Sequence, residues 1–548
     1  MDLQNYILLI SAISAIAGAC PDECNCRDNK VFCQGRVITQ FPSAVPPDTI
    51  AMYISNINIS TLKPSDFTNF AKSITNFAVK DTDIKEVLQN TFDRTVNLIQ
   101  LLFHGTQLVT FPENLFHTLQ SLQSLTASKN NIQSLPPSLL SSLKELRELD
   151  LSKNQLTSVP DAAFSGLHQL RSLRLNRNLL KDLPAKIFDD LENLELLALQ
   201  ENDITQLPAN LFFNLQKLKT LLLSNNRISV LPEGIFTSLP NLNRISLYKN
   251  ELQKLPRGIF GPMPLEQLWL YNNKLSTLED GVFSNLTNVK LLVLSRNQIE
   301  SISVGAFSGL TELEEVSLHT NRITDIKKDT FSGLPKLANI SLEHNKIETI
   351  SGDVLHGVSH LHQLDLRNNS FQHLDQDFLA SLQVVDEVLL TLNPWKCDKD
   401  IVPLRDWLLR FPHKVPSSED LVCHSPPSLT GSDIQNLTEE HLIQPVTQAP
   451  TVTDFVISPT DMRRKPSTPP PRRSTPPSAA ASTTTQPNQS EGATNGPESN
   501  IIEHSHLIII AIVCTAVIVS AILGVAFWKR HKRDSRNLNR RSKSSSVI

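Results

Sequence analysis

Cysteine carries most of the reactive chemistry in this 548-residue chain. Cys20, Cys24, Cys26 and Cys33 stand as C-x3-C-x-C-x6-C, Cys397 and Cys423 follow far downstream, and Cys514 lies alone in an apolar stretch. Thiolates so spaced either hold a metal or close disulfides. No histidine lies near the first four, and the features of a secreted chain described below favour bridges, with three pairings open to those four. His319, His344 and His362 fall in neighbouring segments and could bind a metal or sense pH, but their positions within each segment do not coincide. They read as solvated surface. H-E-x-x-H, G-x-S-x-G, P-loop and G-x-G-x-x-G patterns are absent from the sequence, so no enzyme, cofactor or metal centre is expected. Six N-x-S/T acceptors, at Asn58, Asn285, Asn339, Asn368, Asn436 and Asn488, offer glycosylation sites.

Charge and hydropathy place these groups outside a cell. An apolar run from Tyr6 to Ile16 leads to Ala17 and Ala19, which suits signal cleavage before Cys20, although the first residues carry Asp2 and no Lys or Arg. Leu507 to Trp528 is 22 residues without a charge, enough for a bilayer at ~1.5 Å per residue. Lys529, Arg530, Lys532 and Arg533 follow, so that end is expected in the cytoplasm. The last twenty residues sum to +7, which leaves −11 of the net −4 for everything before them. A folded part so acidic argues against nucleic acid as a partner.

The elements that position the chemistry recur with a fixed period. The pattern L-x-x-L-x-L-x-x-N-x-L places its Asn at residues 130, 154, 178, 202, 226, 250, 273, 297, 321, 345, 369 and 393, with Ile57, Thr82 and Thr106 in the same slot of weaker copies. That makes fifteen repeats, nearly all stepping by 24 residues. This is the leucine-rich repeat period. The L-x-L pair puts alternate side chains of a short strand inward, and the Asn can satisfy backbone groups where the strand bends away. Phe164, Phe188, Phe212, Phe236, Phe260, Phe283, Phe307 and Phe331 form a second, aromatic column on the convex side. The fold expected is an α/β solenoid, a leucine-rich repeat horseshoe with disulfide-bonded caps, a disordered stalk and a single transmembrane helix. Its parts are a signal peptide (1–19), an N-terminal cysteine-rich cap (20–48), the array (49–392), a C-terminal cap (393–444), a Pro/Ser/Thr-rich stalk (445–500), the transmembrane helix (507–528) and a basic tail (529–548). Trp395 and Trp407 are expected to pack in the C-terminal cap.

Positions between the template leucines face solvent on the concave sheet, where solenoids bind macromolecules. Most are polar, among them Arg147, Glu148, Arg174, Arg177, Glu201, Asn225, Glu314, Glu315 and Asp365. A central patch differs: Trp269 and Tyr271 flank Leu270, Tyr248 lies one repeat earlier, Leu222 and Val293 lie in the same columns, and Arg244 and Arg296 surround them. Exposed aromatics grouped with arginine mark binding hot spots, although aromatics on adjacent strands also stabilise sheets. A glycan on Asn339 would crowd the concave face beyond this patch. Ser546-Val547-Ile548 has the S-x-Φ form that adds a strand to PDZ domains.

The phrases IFGPMPLEQLWLYNNKLSTLEDGVFSNL, LVLSRNQI, GAFSGLTELEEVSLHTNRI and NPWKCDKDIVPLRDWLL resemble type I leucine-rich repeat receptors of vertebrate cell surfaces, over roughly Cys20 to Pro427. The resemblance implies a plasma-membrane protein that engages extracellular matrix (collagen, fibronectin, laminin) in adhesion and migration, with other cell-surface receptors as further partners. An innate-recognition or growth-factor co-receptor for a soluble ligand is the other reading the scaffold allows. It also implies Cys20–Cys26 and Cys24–Cys33 bridges. The usual C-terminal cap has C-x-C, but Lys399 takes the second place here, which leaves Cys397 to Cys423.

Overall fold

The computed structural model describes residues 20–442 of the chain. The signal peptide, stalk, transmembrane segment, basic tail, Cys514, Asn488 and the C-terminal S-x-Φ lie outside the described residues. Among the described residues, no helix is long and apolar enough to cross a membrane.

One short strand per repeat joins a single 17-stranded sheet. Its central residues are in parallel register: Leu173, Leu197, Leu221, Ile245, Leu268, Leu292, Val316, Ile340 and Leu364 sit side by side, each at most 2% exposed. They point inward because both neighbours of a strand residue must point outward. At the opposite side of the core the phenylalanines stack, with successive rings 6.4, 6.5, 6.2 and 5.8 Å apart from Phe164 to Phe260. Strands lie only ~4.8 Å apart, so the array curves toward its sheet, and the sheet face is the concave one.

The slot asparagines fasten each turn. Asn202, 7% exposed, donates to the carbonyls of Leu175 and Leu199 at 3.1 and 3.0 Å and accepts from the Leu180 N–H at 3.1 Å. Three backbone groups that the turning strand leaves unpaired are thereby satisfied. The residue just before the slot is left-handed in all fifteen repeats, with φ between 49° and 67°. Asn and Asp tolerate this region and β-branched residues do not. Thr320, at φ 57°, is therefore strained, and Thr320→Gly is expected to raise stability by about 1 kcal/mol in urea unfolding.

The α/β expectation needs correction. Among the described residues the α-helices are Gln376–Ser381, Val402–Arg410 and Glu439–Leu442, all at the C-terminal end, and the outer side of the repeats has no α-helix. There the chain advances by successive i→i+3 turns, such as Ala163 N–H to Pro160 carbonyl and Leu170 N–H to Leu167 carbonyl, both 3.0 Å. Little chain is left between the phenylalanine and the next strand, too short a run to offset helix nucleation.

Both ends of the core are covered. Cys20–Cys26 and Cys24–Cys33 tie the strand Cys24–Arg27 antiparallel onto Lys30–Gln34, which opens the parallel sheet. At the other end the bridge Cys397–Cys423 holds the helix Val402–Arg410, which buries Leu404, Trp407 and Leu408. Trp395, 1% exposed, stacks on Phe371 at 6.4 Å.

Candidate functional site

Two residue columns of the sheet's solvent face flank the third template leucine, Leu270 in the central repeat. In the first, Leu222, Ser246, Trp269 and Val293 are side-by-side partners on four consecutive strands. In the second, Tyr248 and Tyr271 stack face to face, 4.6 Å apart and 7° from parallel. The Trp269 ring lies 6.2 Å from Tyr248 and 6.4 Å from Tyr271. Trp269 is 37% exposed, and its ring is tilted 42° and 50° to the two tyrosines. Burial pushes the Tyr271 phenol above its ordinary value, the neighbouring Tyr248 adds to this, and Arg296 opposes it. Tyr271 therefore remains a neutral donor near pH 7.

A hollow of about 970 Å³ opens beside the rings, and Leu222, Arg244, Tyr248, Trp269, Glu266 and Gln267 are among its lining residues. Of the seven sequence-derived positions, Leu222, Arg244, Tyr248 and Trp269 line it. Tyr271 backs it through the stack, and Val293 extends the row beside Trp269. Arg296 stands at the left-handed position after Ser295, with φ 54°, and its charge reaches Tyr271. The structure thus gathers all seven on one face. Arg244 is exposed and makes no salt bridge among the described residues.

Other residues fall elsewhere. Asp365 is a correction: it is 4% exposed, not solvent-facing, because the Arg367 guanidinium grips both its oxygens at 2.6 to 3.1 Å. Beside it, burial above all raises the Glu343 carboxyl, and Asp365 adds to the shift. The three histidines do not converge. His344 hydrogen-bonds Asn368, and His362 approaches Asp386 at 3.5 Å. His319 is lowered first by burial and then by Arg296 and His344, with Asp365 opposing. Its unfolded form therefore protonates first, and its contribution to stability is complete above pH ~6.5 and lost as pH falls from there through the folded value. A histidine NMR titration should place His319 below free histidine.

His373, Asp398 and Asp400 also gather, but Lys396 stands 2.8 Å from Asp398 and supplies the countercharge. Among the sequon residues, Asn285 donates to the Phe260 carbonyl at 2.8 Å, Asn436 to Asp433 at 2.9 Å, and Asn339 lies in the sheet between Glu315 and Gln363. Asn58 is exposed and Asn368 is left-handed at φ 51°.

One aromatic feature escaped the sequence reading. Phe32 and Tyr53 stack at 5.0 Å in the same column as Trp269, 44% and 37% exposed. The signal was present, since Phe32 precedes Cys33 as Tyr53 precedes Ile54. Extending the period into the cap would have found it.

Comparison with known proteins agrees with this geometry. The leucine rich repeat family matches residues 127–180, 168–228, 216–268, 264–323 and 311–371. The human platelet glycoprotein Ib beta chain is 41% identical over 64 residues, 12% of this chain and 31% of that one. Mouse leucine-rich repeat-containing protein 52 is 29% identical over 91 residues, 16% of this chain and 29% of the relative. This chain thus spans less than a third of these relatives. An LRR protein of Leptospira interrogans has the same fold, with a TM-score of 0.53 and 24% identity over 74% of this chain and 98% of that one. Residues 127–371 thus match the leucine rich repeat family, and the same one-strand-per-turn sheet continues on either side of them.

Proposed function

We propose that this is a single-pass cell-surface receptor whose concave sheet binds extracellular-matrix proteins and so promotes adhesion and migration. The observation that carries the binding face is the exposed Trp269 against the half-buried Tyr248–Tyr271 stack, bordered by Arg244, which makes no salt bridge among the described residues, and by an open hollow. Rigid aromatics and arginine at the centre of a concave surface are the usual anchors of protein recognition. The matrix class comes from likeness. The phrases IFGPMPLEQLWLYNNKLSTLEDGVFSNL and NPWKCDKDIVPLRDWLL resemble leucine-rich repeat-containing protein fifteen, a type I membrane protein, which implies collagen, fibronectin or laminin as ligand. The relatives named as platelet glycoproteins support a place at the cell surface. Membrane anchoring rests on residues 507–528 and their basic flank, and the C-terminal S-x-Φ offers a PDZ contact.

The full chain should bind at least one of immobilised collagen, fibronectin and laminin in a saturable way. Binding to none of these, with capture of a soluble secreted ligand instead, would move the assignment to an innate-recognition or growth-factor co-receptor.

A further inference from the structure

One rung of the sheet is missing at the hollow, whose lining includes Asn243, Glu266 and Gln267. In regular repeats the two N–H groups that open a strand converge on one carbonyl of the previous turn. Asn243 and Arg244 both donate to Lys219 at 3.0 Å, and Lys290 and Leu291 both donate to Glu266 at 2.8 and 3.2 Å. The corresponding pair, Glu266 and Gln267, does not reach Asn243: the strands pair only as Ile245–Leu268 and Ser246–Trp269. Among the described residues neither N–H finds another acceptor, and the Asn243 carbonyl finds no donor.

The cause is visible in the sequence. From Asn250 to Asn273 the step is 23 residues, because Pro240-Asn241-Leu242 of one repeat becomes Pro264-Leu265 in the next. The regular turn, closed by the Leu242 N–H on the Leu239 carbonyl at 3.2 Å, cannot form in the shortened loop. That loop is also pinned, since a Cβ on Gly261 would stand 2.7 Å from the Thr237 carbonyl oxygen. The strand therefore starts out of reach of its neighbour.

We propose that this broken rung is a receptor for an extended peptide segment of a protein partner, which inserts one peptide group between the two turns. Resting on the receptor reading above, the inference names the ligand chemistry of the same face. The walls present two convergent donors and one acceptor, and the complement is a carbonyl and an N–H pointing in opposite directions, as they do on an extended backbone. The side chain next to that peptide group would lie on Leu222, Tyr248 and Trp269, which favours an aliphatic or aromatic residue. Backbone bonds then supply attachment and the aromatic wall selectivity, as in strand addition at sheet edges.

A random 12-residue peptide library displayed on phage and panned on the full chain tests this. The control chain carries one Asn inserted between Pro264 and Leu265, which restores the regular loop and closes the rung. Selected peptides should slow hydrogen exchange at Glu266 and Gln267, and should lose about tenfold or more in affinity when the rung is closed or when their bridging amide is N-methylated. Failure to select peptides, equal binding to the inserted chain, or protection confined to other amides would overturn the proposal. If the inserted chain still binds matrix protein while Trp269→Ala does not, the peptide inference falls and the receptor reading stands. If Trp269→Ala binds matrix protein normally, the aromatic site of the receptor reading falls with it.

Discussion

Phe212→Ala should lower the stability of the solenoid by about 3–5 kcal/mol, whereas the same change at the next residue, Phe213, should stay within about 0.5 kcal/mol. Phe212 is fully buried and Phe213 is 61% exposed. The Phe212 ring lies between Phe188 and Phe236 at 6.5 and 6.2 Å, in a column that neighbouring turns cannot collapse to fill. Each repeat is held by its two neighbours, so the lost ring weakens two interfaces at once. Urea unfolding of both variants provides the comparison. Equal midpoints would mean that the aromatic column does not hold the outer side of the array.

Trp269→Ala should weaken binding to whichever matrix protein the wild-type chain captures by about 30-fold or more, the scale of an interface hot spot. Because Trp269 is 37% exposed, and Leu268 and Leu270 beside it are fully buried, truncation leaves the core intact and the urea midpoint close to wild type. Tyr53→Ala provides the contrast. It occupies the same column with the same exposure, but on the strand Ala51–Ser55 near the N-terminal cap. A partner centred on the hollow should tolerate that change. Titration on immobilised ligand, with both variants checked for secretion and midpoint, separates a local anchor from a general effect on the sheet.

Much of this architecture was legible because burial leaves a strong chemical mark. Leu197, Leu221 and Leu268 are apolar since nothing else fits the inner side of the sheet, and Asn178 or Asn226 recurs since only a side chain with both donor and acceptor can fasten the turn. The aromatic face could be read for the same reason: once the inward leucines are assigned, Trp269 and Tyr271 have only the solvent side left. What escaped were features fixed by backbone geometry. The left-handed column holds Lys153, Glu201, Thr320 and Leu392 alike, so no residue type announces it. Asp365 looked exposed by period and is buried because Arg367, two residues on, neutralises it. The shorter step before Asn273 was visible as a number, but its consequence, an unpaired rung beside Trp269, needed the register of both strands.

The most direct measurement places a glycan on the face itself. Val293→Asn completes an acceptor with Leu294 and Ser295, in the row beside Trp269. Gln155→Asn does so with Leu156 and Thr157 at an exposed position off the sheet. With occupancy confirmed by mass, the chain carrying Val293→Asn should lose binding to matrix protein, the chain carrying Gln155→Asn should keep it, and adding Ser295→Ala to the first should restore it. Undiminished binding by a chain shown to carry the glycan at position 293 would contradict the concave face as the site of recognition.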